Sequence, residues 1–246
     1  MAQQVIAVTG TSRGIGRAVA IELAQRGFTI GCLVRNGKVP DDPAVAKLVD
    51  RLIPIPCDVT DEDALRAAFK TLAERCGGID GLVNNAGIYM AGASRAFATA
   101  DFEKILRVDV LAVFAACREV YPYLLKRGGG TIVNMGSFFA ELGAKGSTAY
   151  SAAKAAVAAI TRCLAAEWGS KGINVLTVAP GYIETDINRD YLADPAVRKM
   201  MKERIAVGRP GRTDEVARLI AAIFAEKIGF LTGETISIDG GHRLSY

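Results

Sequence analysis

Short runs of consecutive apolar residues alternate along this chain with longer stretches whose apolar residues recur every three or four positions. Val5-Ile6-Ala7-Val8 is the first such run, and the pattern predicts strands over 5–9, 29–34, 52–57, 81–84, 131–136, 173–178 and 235–239. Apolar at every position, such runs suit strands covered on both faces. The stretches between them read as helices, the longest over 102–126 and 148–168. The alternation predicts an α/β fold of Rossmann type: a doubly wound, seven-stranded parallel sheet with helices on both faces. No linker, repeat or low-complexity segment divides residues 1–246, so the pattern predicts a single domain. Residues 186–210 are the least strand-like long segment, with Asp194-Pro195 and Arg209-Pro210-Gly211 marking turns around a helical piece.

The polar residues that interrupt this pattern collect just after predicted strands. The first strand runs into Thr9-Gly10-Thr11-Ser12-Arg13-Gly14-Ile15-Gly16, and a helical pattern follows at once. Amides at a helix start bind pyrophosphate, and glycines let the backbone come close to it. The spacing G-x-x-x-G-x-G differs from the common G-x-G-x-x-G fingerprint, and a plain strand-to-helix turn has similar composition. Leu82-Val83 ends in Asn84-Asn85-Ala86-Gly87, and Ile132-Val133-Asn134-Met135 ends in Gly136-Ser137. In open α/β sheets ligands lie outside the carboxyl ends of the strands, so Gly14, Asn85 and Ser137 are expected to converge there.

Tyr150 and Lys154 follow in an alanine-rich run, four residues apart. On a helix that spacing puts both on one face. An ammonium beside a phenol favours the phenolate, which equips the hydroxyl to pass a proton to or from an alcohol oxygen. Alone, the pattern also describes a solvated helix face; its position after three polar strand ends argues for chemistry.

Composition removes other classes. Half of the residues are hydrophobic, 23% are charged, and the net charge is +4, with no basic run that reads as a nucleic-acid patch and no apolar stretch long enough to span a membrane. The first strand starts almost at the N-terminus, without a signal-peptide pattern, so a cytoplasmic location is expected. Five cysteines (Cys32, Cys57, Cys76, Cys117, Cys163) lack CxxC spacing and predict buried free thiols, with no metal site. The only histidine, His242, lies near the end of the chain, which argues against Ser137 as the nucleophile of a Ser–His–Asp hydrolase.

These motifs, in this order, resemble the short-chain dehydrogenase/reductase family in its compact single-domain branch. The resemblance spans TGTSRGIG from Thr9, Cys57-Asp58-Val59, the NNAG of Asn84 to Gly87, Ser137/Tyr150/Lys154, Ala179-Pro180-Gly181-Tyr182-Ile183-Glu184-Thr185 and the terminal Ile238-Asp239-Gly240-Gly241. Within the family the chain looks most like the 3-oxoacyl-(acyl-carrier-protein) reductases. The resemblance implies hydride transfer between nicotinamide C4 and a carbonyl carbon, with Tyr150 as general acid or base, Ser137 polarising the carbonyl oxygen, and Lys154 supporting Tyr150 and the nicotinamide ribose. It implies a cofactor lying along Gly10, Ser12, Arg13, Gly14, Ile15 and Gly16, along Asp58, Val59, Asn85, Ala86 and Gly87, and along Pro180, Gly181, Ile183 and Thr185. It also implies a trimmed crossover over 36–51, a substrate-covering lid over 182–211, and a homotetramer.

Three readings are specific to this chain. At the end of the second strand, where NAD enzymes carry an acid for the ribose 2′-OH, Val34 stands and Arg35 follows; with Arg13 it suits a 2′-phosphate, so NADP(H) is expected over NAD(H). Asp109, in Val108-Asp109-Val110-Leu111-Ala112-Val113-Phe114, takes the position of a family asparagine whose main-chain carbonyl holds a relay water. Its carboxylate either adds charge near the site and alters the pH profile, or is protonated and caps a local helix distortion. Phe138, Phe139, Tyr182 and Tyr191, with Tyr89 and Met90, suggest an aromatic pocket for a bulky apolar or cyclic ketone. The alternatives are a 3-oxoacyl-carrier-protein reductase, for which Lys126, Arg127 and Lys171 offer a basic landing patch, and a non-catalytic NADP sensor.

Overall fold

Residues 4–186 and 188–244 are described by a computed structural model. The chain opens with β1 (Val5–Thr9), α1 (Gly14–Gln25), β2 (Thr29–Val34), β3 (Leu52–Pro56), α2 (Glu62–Cys76) and β4 (Gly81–Asn84). It continues through α3 (Thr99–Leu106), α4 (Ala112–Lys126), β5 (Gly130–Met135), α5 (Thr148–Trp168) and β6 (Ile173–Pro180). It ends with β7 (Ile183–Glu184), α6 (Arg189–Ala193), α7 (Pro195–Arg204), β8 (Gly211–Arg212), α8 (Thr213–Glu226) and β9 (Thr235–Ile238). Seven strands form one parallel sheet in the order β3-β2-β1-β4-β5-β6-β9, the doubly wound arrangement expected from the sequence.

Burial on both faces explains why the strands read as unbroken apolar runs. Along β1, Val5 and Ala7 join a core with α2, α4 and α5, while Ile6 and Val8 join a second core with α1 and α8. The chain leaves β1 toward β2 and β3, then returns to lay β4 on the other side of β1. This opens a crevice between the carboxyl ends of β1 and β4. The β2–β3 crossover carries only two 3-10 turns, Pro43–Lys47 and Val49–Arg51. β3 lies at the sheet edge, and two of its five residues, Pro54 and Pro56, bring no N–H.

Three sequence expectations change. The helix expected over 102–126 is interrupted by a π-helical turn at Arg107–Leu111, which separates α3 from α4 and holds Asp109. An extra parallel pair, β7–β8, brackets the segment of α6 and α7. Of the cysteines expected to be buried thiols, Cys32, Cys57 and Cys117 are buried, Cys76 is half-buried and Cys163 is exposed. No helix among the described residues is long and apolar enough to cross a membrane.

A buried polar chain fastens α5 to the sheet. Asn84 Nδ2 donates to Asn134 Oδ1 at 2.9 Å, and Asn134 Nδ2 donates to Thr161 Oγ1 at 3.0 Å. Thr177 Oγ1 donates to the same Thr161 oxygen at 2.8 Å. The chain thus links β4, β5 and β6 to the middle of α5. Buried polar groups hold their value only while every partner is present. Asn134→Ala removes the shortest partner of Asn84 Nδ2 and one of the two donors to Thr161 Oγ1, and a loss of about 1–3 kcal/mol is expected in chemical denaturation.

Candidate active site

The crevice is lined by two turns pinned to each other. Asn85 Nδ2 donates to the carbonyls of Thr9 and Gly10 at 3.0 and 3.1 Å, while Thr9 Oγ1 accepts from the amides of Asn85 and Ala86, both at 3.0 Å. Gly10 has φ +72°, and a Cβ there would come 2.9 Å from Ala86 Cα, so the turn needs glycine for conformation and for space. After it, α1 begins at Gly14 with no side-chain cap and no acidic residue in its first turn. A Cβ at Gly14 would find only Thr185, at 3.6 Å, and Ser12 and Arg13 are exposed. Uncapped amides of a twelve-residue helix beside such an opening fit an anionic phosphate group. Ile15 and Gly16 continue the first turn; Gly16 is packed against Gly10 and Asn85.

At the end of β5, Ser137 is buried and its Oγ accepts from Phe139 N–H at 3.2 Å. With its oxygen accepting inside the turn, its own hydrogen is left to donate. The first turns of α5 carry Tyr150, half-buried, and Lys154, 4% exposed. Lys154 Nζ donates to Met135 O at 3.0 Å, lies 3.0 Å from Asp109 Oδ2, and is 5.4 Å from the centre of the Tyr150 ring. Burial works against the ammonium, but the neighbouring Tyr150 oxygen and the Asp109 carboxylate outweigh it and raise the Lys154 pKa above its usual value. Asp109 is fully buried, and its Oδ1 accepts from Ile88 N at 2.8 Å.

Arg35 and Asp58 stand exposed at the ends of β2 and β3. The amide and hydroxyl of Thr60 hold the Asp58 carboxyl below its usual range, and Arg35 adds to that pull. Val59 packs half-buried on the core behind them. On the far side, the Gly181 amide donates to Ile238 O, and Pro180 is buried at the end of β6. Ile183 turns its side chain into the core and its carbonyl to Asn188 Nδ2, so the main-chain N–H is the polar group it has to offer. Thr185 is tied to Asn188 Oδ1 through both its amide and its hydroxyl. Arg17 on α1 joins Asp186 at 3.1 Å, bringing the segment after β7 over the glycine-rich turn.

An aromatic wall faces Tyr150. Tyr89 meets its ring edge-on at 5.1 Å and Phe139 at 6.3 Å, and Tyr182 stands 6.1 Å from Phe139. Phe138 lies deeper, buried beneath Tyr182. Tyr191 on α6 is 54% exposed and makes no ring contact with this cluster among the described residues, but lies near enough to Tyr182 to add to the burial that raises the Tyr182 pKa. His242, which sequence reasoning set aside as terminal, packs on Phe138 at 5.1 Å and Tyr182 at 5.5 Å. Burial, helped by Arg204 and opposed by Asp239, lowers its pKa and favours the neutral ring. Gly240 and Gly241, with φ +65° and +80°, turn the chain back to this position.

The profile of the family described as enoyl-(acyl carrier protein) reductase matches residues 10–243. The chain is 34% identical to a 3-oxoacyl-[acyl-carrier-protein] reductase of Vibrio harveyi, covering 95% of each protein. It is 36% identical to a glucose 1-dehydrogenase of Gluconobacter oxydans, covering 97% of this chain and 91% of that one. A double mutant of a Serratia marcescens short-chain dehydrogenase/reductase superposes with TM-score 0.90 at 31% identity, over 98% of this chain and 99% of that one.

The Lys154–Asp109 pair yields a stability test. Lys154→Met leaves a buried carboxylate without its cation, which costs about 3–5 kcal/mol, whereas Lys154→Met with Asp109→Asn removes both charges and is expected to regain most of that in denaturant unfolding.

Proposed function

Because the chain belongs to the short-chain dehydrogenase/reductase family of oxidoreductases, we propose that it is an NADP(H)-dependent enzyme interconverting a ketone and a secondary alcohol. The observation that carries this reading is the buried Lys154 beside the Tyr150 ring, bonded to Met135 O two residues before a Ser137 whose oxygen accepts from Phe139 N–H. A bound nicotinamide supplies the hydride in reduction and accepts it in oxidation.

The chain's own residues do the rest. Tyr150 gives its proton to the carbonyl oxygen as that oxygen becomes an alkoxide, and Ser137 donates a second hydrogen bond to the same atom. Lys154 donates to Met135 O and pairs with the Asp109 carboxylate, which leaves N–H capacity for Tyr150 or a ribose hydroxyl. The uncapped start of α1, Gly14 and Ser12 would hold the pyrophosphate, with Asn85, Ala86 and Gly87 beside it. Asp58 and Val59 would take the adenine, and the Ile183 amide and Thr185 the carboxamide. Arg35, exposed at the end of β2, and Arg13 would bind a 2′-phosphate. The aromatic wall of Phe139, Tyr182 and Tyr89, backed by Phe138 and with Tyr191 near Tyr182, supports a bulky apolar or cyclic ketone beneath a lid over 182–211. Exposed Leu111 and Phe114, on helices expected to form an interface, support assembly as a homotetramer. A cytoplasmic location fits the same reading.

A 3-oxoacyl-carrier-protein reductase is the second reading, favoured by the Vibrio harveyi relative. Its basic landing patch is weakened here, since Arg127 is engaged by Asp80 at 2.8 Å.

The test is oxidation of NADPH and of NADH against an acetoacetyl thioester and aliphatic, aryl and cyclic ketones. Turnover with a strong NADPH preference is expected, together with a loss of about 10²–10⁴-fold in Tyr150→Phe. Arg35→Ala should weaken NADPH binding and leave NADH binding nearly unchanged. Tight NADPH binding without turnover on any ketone would overturn the enzymatic reading in favour of a sensor.

A further inference from the structure

A lone lysine is the simplest cationic partner for a proton-transferring tyrosine, but the geometry here is different. Asp109 Oδ2 lies 3.0 Å from Lys154 Nζ, and the two groups are 0% and 4% exposed. Water therefore does not screen either charge from Tyr150. The carboxylate is also fixed in place. Its Oδ1 accepts from Ile88 N, its main chain sits on the π-turn Arg107–Leu111, and Gly87 leaves it room, since a Cβ there would come 3.0 Å from Oδ2. The same carboxylate thus bridges Ile88, just after the Asn85–Gly87 turn, and the lysine.

We infer that Asp109 balances the charge of Lys154, so that Tyr150 faces an ion pair and keeps its proton to higher pH than it would beside a lone ammonium. The inference rests on the reading of Tyr150 as proton donor in ketone reduction. Asp109 is a positioning and charge-setting residue: it touches Lys154 and acts on Tyr150 through it. Other titratable groups around Tyr150 do not supply such a charge. Tyr89 meets it edge-on, and Tyr182 and His242 lie beyond Phe139. Arg107 on the π-turn is exposed, and Glu141 is taken by Arg243 at 3.0 Å.

The sign follows directly. Removing the negative charge leaves the ammonium alone and favours the phenolate, so reduction, which needs the protonated phenol, loses rate at lower pH. Oxidation, which needs the phenolate, begins at lower pH. Asp109→Asn keeps the acceptor for Ile88 and removes the charge. Its alkaline limb for ketone reduction is expected about one pH unit or more below that of the unmodified protein, with the acid limb for alcohol oxidation moving the same way.

A second readout needs no turnover: titration of tyrosinate absorbance in the protein minus its Tyr150→Phe counterpart, with and without Asp109→Asn. The Tyr150 transition should come at lower pH when Asp109 is Asn. Unchanged profiles and an unchanged transition, or a shift to higher pH, would overturn the inference and make Asp109 a neutral structural residue. If no ketone is reduced by either protein, the proposed reaction falls, while the tyrosinate titration still decides the inference. If Asp109→Asn does not fold, Asp109→Ser is read by the same two measurements.

Discussion

A primary ammonium group taken out of water has to be compensated locally, and that requirement organises this molecule around Lys154. Desolvation of such an ion costs several kcal/mol unless hydrogen bonds and an opposite charge replace the water. The compensation comes from three places: the Met135 carbonyl at the end of β5, the Asp109 carboxylate, and the neighbouring Tyr150. Each imposes a demand on the backbone. Reaching Met135 requires α5 to sit tightly on the sheet, and the Asn84–Asn134–Thr161–Thr177 chain holds it there. Reaching Asp109 requires the helix to widen at Arg107–Leu111 and Gly87 to lack a side chain. Placement of the Tyr150–Lys154 pair is thus bound up with the packing of three strands and two helices.

Much of this was legible in the sequence, for a physical reason. Doubly buried parallel strands leave an unbroken apolar signature, so Thr29–Val34 and Gly81–Asn84 are found where the pattern puts them. The polar residues that follow such strands stand out because the rest of each strand has no place for them, and Gly10, Asn85 and Ser137 do fall at the crevice side of the sheet. A π-turn is different. Its five residues keep to helical composition, so Arg107–Leu111 reads within one helix over 102–126, and Asp109 is the one residue there that hints at a distortion. The ion pair of Asp109 with Lys154 joins residues far apart in sequence, and only the width of that turn reveals it. His242 joins the ring cluster while Tyr191 makes no ring contact with it among the described residues, for one reason. Which aromatic reaches the wall depends on where a short helix and a pair of terminal glycines steer the chain, and composition carries neither.

The segment after β6 contrasts with this rigid centre. Leu192, Met201 and Ile205 form a small core of their own with Tyr182, Val197 and Met200. Ile183 and Tyr182 anchor its start, in the core and against Phe138; beyond them Arg17 with Asp186 is an exposed polar tie to the body. Elements joined to the core through few apolar contacts open at low free energy compared with the sheet. Rigidity under Tyr150 and compliance above it therefore arise from separate packing units.

The two prolines of β3 reach beyond their own strand. Pro54 and Pro56 pair with Cys32 and Val34 on the inner side, and being two apart they blank successive donor positions on the outer side. A strand from another molecule laid there would find acceptors with nothing to answer its own carbonyls. The opposite border, β9, has no proline among its four residues and so lacks none of its amide donors. The sheet is therefore polar in the geometric sense, with one border closed to extension and one open, and any growth of it by strand addition can proceed in a single direction only.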